Sequence, residues 1–418
     1  MTDRPRIVIV GGGFGGLECA QRLARSQAEV IVLDRQNHHC FQPLLYQVAT
    51  ATLSPADVAW PIRTILQKSA NTQVLMANVT GVDVDTRRVL TEDGAFDYDI
   101  LVLASGATHS YFGHDDWAPF APGLKRIDDA TAIRKAILLS FEKAELAADE
   151  AERRRHLTFV VVGGGPTGVE MAGAIANVAH EALPADFRNF DPRQAQILLI
   201  EAGPRLLTVF PENLSAYAAR TLKTMGVTVM TGVSVTDIGR DYVEAGDQRI
   251  EAGAVIWAAG VKASPAAVWL GAAADRSGRV MVESDLTIPG NRQIFVIGDT
   301  AAVRAEAGLV PGIAPAAKQM GAYVAEVIKA RLAGADAPPA FSYSHAGDLA
   351  TIGRRIAIVK LDRFELTGFI AWLFWSLAHV YFLITLRNRI AVAFTWAWDY
   401  VTFGRRARLI THLDEPPP

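Results

Sequence analysis

The sequence predicts an α/β protein with two Rossmann-like domains and a C-terminal helical region of different character. Three observations predict it. A strand–glycine–helix unit occurs twice, as IVIVGGGFGGLE at residues 7–18 and as FVVVGGGPTGVE at residues 159–170. Strand-like runs alternate with helical patterns between and after these units, as parallel sheets built from βαβ units require. From about residue 366 the chain turns strongly aromatic and apolar. At 418 residues it is too long for one core, so two or three domains are expected.

Residues 6–34 read as strand, glycine turn, helix and strand (RIVIV, GGGFGG, LECAQRLARS, EVIVLD). DYDILVLASG, residues 97–106, is a buried strand ending in small residues, and after Ala107 the irregular GHDDWAPFAPGL marks a domain crossing. Residues 128–155 read as one long charged helix. The pattern then restarts with a strand at 157–163, a turn, a helix and a strand at 196–201. Further strands are predicted at 227–231, 250–258 and 288–298, and a helix at 314–332. AGADAPPA, residues 333–340, reads as a linker. These readings give one discontinuous domain at 1–110 and 288–335, a second at 111–287, and a C-terminal region at 336–418.

Each glycine turn has the spacing G-x-G-x-x-G: Gly11, Gly13 and Gly16, then Gly163, Gly165 and Gly168. The first glycine allows the tight turn, the second lets a pyrophosphate approach the backbone, and the third lets helix and strand pack closely. The helix N-terminus favours the anion by roughly 0.3–1 kcal/mol. Each unit continues to a strand ending in an acid, Asp34 or Glu201, suited to ribose hydroxyls. An insertion, FRNFDPRQ, sets Glu201 farther from its loop. Two cradles make physical sense if two dinucleotides must meet, since hydride transfer needs its atoms about 3–3.5 Å apart. The first domain is therefore expected to hold FAD and the second NADH. Gly298 and Asp299 end the strand IFVIGD, where a carboxylate could take the ribityl hydroxyls. Ala104 and Gly106, and Ala259 and Gly260, end strands in small residues that let backbone approach a cofactor. With loop neighbours added, the FAD candidates are Gly11, Gly13, Phe14, Gly15, Gly16, Asp34, Arg35, Ala104, Gly106, Gly298 and Asp299. Those for NADH are Gly163, Gly165, Pro166, Thr167, Gly168, Glu201, Ala259 and Gly260. Glu201 should repel a 2′-phosphate, which predicts an NADH preference, although Arg205 is close in sequence.

Four segments carry a closer resemblance: FQPLLYQVAT (41–50), GGGPTGVEMAGAIA (163–176), GDLATIGR (347–354) and YFLITLRNRIAVAFTWAWDYVTFGRRARLI (381–410). The chain resembles the type II NADH:quinone oxidoreductases, the single-subunit, non-proton-pumping respiratory NADH dehydrogenases, from residue 6 to about 411. The C-terminal stretch discriminates most, because glycine loops occur throughout the two-dinucleotide-binding flavoproteins. The resemblance implies non-covalent FAD, NADH as donor and a membrane quinone as acceptor. It also implies a monotopic homodimer on the cytoplasmic face of a bacterial inner membrane. Glu170 is implied at the flavin–nicotinamide contact, as the catalytic candidate and a further NADH residue. GIAPAAKQMG (312–321) matches the flavin and quinone-head region, adding Ala316 for FAD and Pro315, Lys318 and Gln319 for the quinone. Many members carry Ala-Gln where this chain has Ala314-Pro315, and glutamine where it has Met320. Pro43, Leu44, Tyr46 and Gln47 are implied in the same quinone tunnel.

No charged residue occurs from Leu366 to Leu386, long enough to span a bilayer or lie in its surface. The tail carries Trp372, Trp375, Trp396 and Trp398, with Arg387, Arg389, Arg405, Arg406 and Arg408. Aromatic residues favour the membrane interface and arginines favour anionic headgroups. A span, a buried dimer helix and an in-plane anchor are all compatible with this; the resemblance supports the third. Ile390, Phe394, Ala397 and Val401 align as a helical stripe, whereas Trp396 and Phe403 fall off it.

The net charge of −3 argues against a nucleic-acid partner. Cys19 and Cys40, the two cysteines, form no C-x-x-C pair, so a reducing compartment fits. No apolar leader precedes the strand at Arg6, so the body is expected in the cytoplasm. His38 and His39 read as structural or exposed, and no metal site is expected. A sulfide:quinone oxidoreductase and a soluble ferredoxin reductase are the rival readings. The first needs redox cysteines near the flavin, and the aromatic tail speaks against the second.

Overall fold

The computed structural model describes residues 4–305, 308–402 and 407–410. In chain order its main elements are β1 (Arg6–Val10), α1 (Phe14–Arg22), β2 (Glu29–Asp34), α2 (Leu45–Ala49), β3 (Thr72–Met76) and β4 (Ile100–Leu103). Then come α3 (Ile127–Leu146), α4 (Glu150–His156), β5 (Thr158–Val162), α5 (Pro166–Asn177), β6 (Gln196–Glu201), β7 (Val227–Thr231) and β8 (Ala254–Trp257). The chain continues with β9 (Thr287–Ile288), β10 (Asn291–Val296), α6 (Ala314–Leu332), β11 (Asp348–Gly353), β12 (Ile356–Lys360) and β13 (Glu365–Thr367). It closes with α7 (Gly368–Phe382) and α8 (Leu386–Thr402).

The chain forms two compact units. The first comprises Met1–Cys40, Ala59–Thr108 and Val261–His345. Its sheet has the order β9-β10-β4-β1-β2-β3. All neighbours are parallel except the edge pair β9–β10. The inner strands are continuous β-branched and leucine runs because helices cover both faces. Gly15 and Gly321 bring α1 and α6 into backbone contact: a Cβ at Gly321 would lie 2.2 Å from the Gly15 carbonyl oxygen. Residues 261–287, assigned to the second domain on sequence, pack here instead, with Ala266, Val280 and Leu286 in this core.

The second unit comprises Phe41–Val58, His109–Gly260 and Ala346–Pro418. Its parallel sheet has the order β7-β6-β5-β8. Residues 41–58, placed in the first domain on sequence, belong to this unit. The predicted helix at 128–155 is two helices, because Asp149 accepts the Glu152 N–H at 2.8 Å and starts α4 afresh. The strand predicted at 250–258 is also divided, into Gln248–Glu251 of a meander and β8. β11, β12 and β13 form an antiparallel sheet followed directly by α7.

The uncharged run at 366–386 is not one helix. Leu383 is extended (φ −59°, ψ 142°), and Thr385 Oγ accepts the Asn388 N–H at 3.1 Å to begin α8. Among the described residues no helix is long and apolar enough to cross a membrane. α7 and α8 instead turn apolar side chains outward. Ile370, Leu373, Leu377 and Tyr381 of α7 are exposed, as are Leu386, Ile390, Phe394 and Trp398 of α8. The helices face the protein with Ala371, Trp375 and Val392. Phe403, Arg405 and Arg406 lie outside the described residues, as does the side chain of Val401. Two of the remaining arginines serve the fold: Arg389 donates to the Leu383 carbonyl at 2.9 Å, and Arg408 to the Ala182 carbonyl at 3.0 Å and to Asp186.

Candidate functional site: two glycine cradles and an aromatic-walled cavity

The two cradles are built alike. Gly11 and Gly163 have φ of +103° and +109°, in the left-handed region that favours glycine. A Cβ at Gly16 would lie 1.9 Å from the Gly11 carbonyl oxygen, and one at Gly168 would lie 1.8 Å from that of Gly163. At Gly13 and Gly165 a Cβ would meet no atom within 4 Å, so this side of each loop is open to a phosphate. Asp34 accepts the Gly12 N–H at 2.6 Å and that of Gln36 at 2.7 Å. Glu201 accepts the Gly164 N–H at 2.5 Å and that of Gly203 at 2.6 Å. The acids thus occupy equivalent positions despite their unequal spacing, because the insertion between α5 and β6 leaves their sheet register untouched. Burial pushes the Asp34 carboxyl upward, and its two backbone donors oppose that.

Around the first cradle, Gly106 (φ +72°) donates to Thr300 Oγ1 at 2.8 Å, and Gly298 (φ +68°) donates to the Met320 sulfur at 3.1 Å. Asp299 Oδ1 would lie 3.2 Å from a Cβ at Gly312, which has none, so the loop runs close over the carboxylate. Ala316 is buried and Arg35 exposed. His39 is a residue the sequence reading undervalued. It is buried, meets the Phe14 ring edge-on at 4.9 Å, and has Nδ1 2.8 Å from the Gly12 carbonyl oxygen. Burial lowers its pKa to about 4, so the ring is neutral and Nδ1–H donates to Gly12. Nε2 is then an acceptor, buried without a partner. The cradle and this acceptor fit a dinucleotide bearing phosphates and hydroxyl donors.

Around the second cradle, a Cβ at Gly163 would lie 2.6 Å from Ala259 Cα, so the end of β8 closes on the loop. A Cβ at Gly260 would strike the Phe112 ring at 2.5 Å. Pro166 opens α5 with Thr167 beside it. Arg205 is engaged by the loop that follows it. Its guanidinium donates to the carbonyls of Phe210 at 2.9 Å, Thr208 at 3.0 Å and Leu207 at 3.4 Å.

The third feature lies wholly within the second unit. An open cavity of about 110 Å³ is walled by α2, α5, β11, α7 and α8. α5 supplies Glu170, Ala174 and Asn177 from one helical face, continued by Glu181 of the π-helical turn Val178–Ala182. Gly173 explains how α5 meets β11, since a Cβ there would lie 1.6 Å from the Ile352 carbonyl oxygen. That approach brings the Thr351 N–H to 3.4 Å from Glu170 Oε1. Desolvation of this half-buried carboxyl at the cavity wall raises its pKa to about 8, against a small lowering by the Thr351 N–H. A hydrogen-bond row runs along the same cavity from α8 to β11. Trp396 Nε1–H donates to Gln47 Oε1 at 2.8 Å, and Gln47 Nε2–H donates to the Tyr46 hydroxyl at 2.9 Å. Tyr46 and Thr351 share a hydroxyl–hydroxyl bond at 3.0 Å. Trp375 lies between His379 (4.0 Å) and Trp396 (5.4 Å), and its indole N–H is buried without an acceptor.

The structure therefore brings Glu170, Tyr46 and Gln47 together. Leu44 is fully buried in the fold rather than on the wall, beside Pro43 in a 3₁₀ turn. Pro315, Lys318 and Gln319 lie on α6 of the first unit. There Lys318 pairs with Glu18 at 3.8 Å, and both ends of the Gln319 amide bond the Ser344 backbone. Thr351, Arg354 and Trp375 were missed as site residues. Their signal was present in GDLATIGR, which carried the family resemblance, and in the aromatic tail, which was read for membrane attachment rather than for a site. The Cys19 thiol is fully buried and pushed up to about 12 by desolvation, which leaves it inert.

Comparison with known proteins fits this arrangement. Residues 5–321 match the pyridine nucleotide-disulphide oxidoreductase family, and residues 345–406 match the NDH2 C-terminal domain. The chain is 43% identical to the type II NADH:quinone oxidoreductase Ndh of Mycobacterium tuberculosis, with 98% of this chain and 90% of the relative covered. The chain belongs to the type II NADH:quinone oxidoreductase family. In fold, it superposes on the NDH2 of Plasmodium falciparum, solved in complex with NADH, with a TM-score of 0.88 at 21% identity over 97% of this chain and 99% of that one. The sulfide:quinone oxidoreductase of Aquifex aeolicus shares the architecture less closely, with a TM-score of 0.73 at 18% identity over 98% and 96% of the two chains. As a member of this family, the chain is a flavin- and NADH-dependent oxidoreductase with a quinone acceptor.

Proposed function

We propose that the protein is a respiratory NADH dehydrogenase that uses non-covalent FAD to reduce a membrane quinone without pumping protons. FAD is assigned to the first cradle, with Gly11, Gly13 and Gly16 at the pyrophosphate, Asp34 at the ribose and Asp299 at the ribityl chain. NADH is assigned to the second, with Gly163, Gly165, Gly168 and Glu201. A bound flavin would supply the hydride-accepting and electron-transfer chemistry between NADH and the quinone. The chain's residues do the rest. Gly13 and Gly165 leave their loops open to phosphate, and the N-termini of α1 and α5 favour its charge. Glu170 holds a proton at neutral pH within the cavity where quinol formation would consume one.

The observation that carries this reading is the cavity itself. A half-buried carboxyl with its pKa pushed up to about 8 lines it, together with a hydrogen-bonded polar row and three tryptophans. The helices that complete the wall present apolar side chains outward. An apolar carrier with two carbonyls suits such a cavity better than any charged acceptor. The exposed stripes of α7 and α8 support in-plane attachment to the cytoplasmic face of the membrane. A homodimer belongs to the same proposal. The test is anaerobic. NADH added to the purified protein bleaches the flavin absorbance, and ubiquinone or menaquinone analogues added separately restore it. Absence of bleaching removes the donor assignment, and absence of recovery with both analogues removes the acceptor.

A further inference from the structure

We infer that Trp396, on the membrane-facing helix α8, is a positioning residue for quinone reduction, acting through the orientation of the Gln47 side-chain amide. The inference rests on the quinone reading above and deepens it. An indole can only donate a hydrogen bond, whereas an amide can present either its oxygen or its nitrogen. The 2.8 Å bond from Trp396 Nε1–H therefore fixes the Gln47 oxygen toward α8. It leaves the NH₂ group facing the Tyr46 hydroxyl, 2.9 Å away. One of its two hydrogens serves Tyr46; the other remains for an acceptor. Tyr46 in turn is bonded to Thr351, whose backbone N–H meets Glu170. Trp396, Gln47, Tyr46, Thr351 and Glu170 all line the same cavity. A carbonyl-bearing occupant then meets a donor at Gln47 only while Trp396 holds the amide. Without the indole N–H, the amide can turn over and present its oxygen to the phenol and to the occupant. Trp396 departs from the outward stripe of α8 for this reason: Ile390, Phe394 and Trp398 face out, and Trp396 faces in.

The experiment uses the full-length holoenzyme in vesicles, with a soluble ubiquinone analogue as acceptor. Trp396→Phe keeps an aromatic ring beside Trp375 and deletes the donor. The expected result is a rise of about tenfold in the quinone KM, equivalent to one lost oriented hydrogen bond of about 1.4 kcal/mol, with kcat within twofold. The rate of flavin bleaching by NADH should stay unchanged. In a Gln47→Leu background, the same substitution should add nothing further, since the amide it orients is gone. Gln47→Glu is the second arm. It keeps an acceptor for Trp396 but cannot donate toward Tyr46, and it should raise the quinone KM even where Trp396→Phe fails to fold. A wild-type KM in Trp396→Phe, full additivity with Gln47→Leu, or a wild-type KM in Gln47→Glu overturns the inference. Failure of the underlying quinone reading looks different: the wild-type enzyme itself, once bleached by NADH, is not reoxidised by either quinone class.

Discussion

Glu170→Gln tests the site most directly. The substitution keeps the size of the side chain and its acceptor for the Thr351 N–H, and removes the group's ability to release a proton. Burial raises the wild-type pKa from 4.5 to about 8. At pH 7, one unit lower, about ten carboxyls in eleven carry a proton; at pH 9 about one in eleven does. If quinol formation draws on that proton, quinone-dependent flavin reoxidation in the wild type should fall about tenfold between pH 7 and pH 9, with an apparent pKa near 8. Glu170→Gln should be slower at pH 7 by roughly 10²-fold, the lower range for loss of a general acid, and its profile should lack the limb near 8. Stopped-flow spectroscopy separates this step from reduction by NADH. The linkage has a fixed sign. The folded pKa exceeds the unfolded one, so the native state keeps a proton that the unfolded chain releases above about pH 4.5. Stability from this group is therefore lost as pH rises toward 8, and denaturant midpoints of the wild type should fall over that window more than those of Glu170→Gln. An unchanged pH profile in the variant, or a wild-type limb near pH 4.5, would refute the reasoning.

The remaining predictions concern the cradles and the exposed apolar face of α7 and α8. Gly16→Ala should fail to fold or to retain flavin, because its Cβ would lie 1.9 Å from a carbonyl oxygen. Gly13→Ala, with no protein atom within 4 Å, should fold with an unchanged apoprotein melting temperature yet lose flavin, read as the flavin-to-protein ratio. NADPH should be used with a kcat/KM at least about 10²-fold below that of NADH if Glu201 takes the ribose as proposed, because Arg205 is engaged by three backbone carbonyls and does not offset that carboxylate. Glu201→Ser should narrow that gap, and comparable kcat/KM for the two donors in the wild type would defeat the assignment. Ile390→Glu combined with Phe394→Glu should lower binding to anionic vesicles by at least about a hundredfold, given roughly 1.5–3 kcal/mol for each buried apolar side chain. Flotation with unchanged binding would show that this stripe is not what meets the lipid.

Much of the fold could be read along the chain, for reasons of local geometry. β-branched runs followed by G-x-G-x-x-G leave the backbone few options, so β1–α1 and β5–α5 appear where the motifs place them. The terminal acids were equally legible: Asp34 and Glu201 follow from strand ends rather than from distance in sequence. α6 at Ala314–Leu332 was likewise visible in a continuous helical pattern between Pro315 and the linker. Local signals also misled. Residues 128–155 had helical composition throughout, and only the Asp149 cap divides them.

The sequence by itself determined the two phosphate cradles, the parallel sheets and the presence of an apolar, aromatic C-terminal region. The cradles and the strand pairs that flank them rest on contacts between neighbouring segments, and the C-terminal region on composition alone; the sheets were legible from their repeating strand–helix pattern although some of their strands pair across long stretches of chain. Tertiary structure decided the cavity. Gln47, Glu170, Thr351 and Trp396 are far apart in the chain, and their meeting depends on Gly173 letting β11 touch α5 and on the break at Leu383 that turns α8 back. The same holds for Glu170 as an acid with a pKa of about 8, since burial by distant segments, not its neighbours in sequence, raises that value. Periodicity can mark a tryptophan as off the stripe, but only packing can supply the amide it orients.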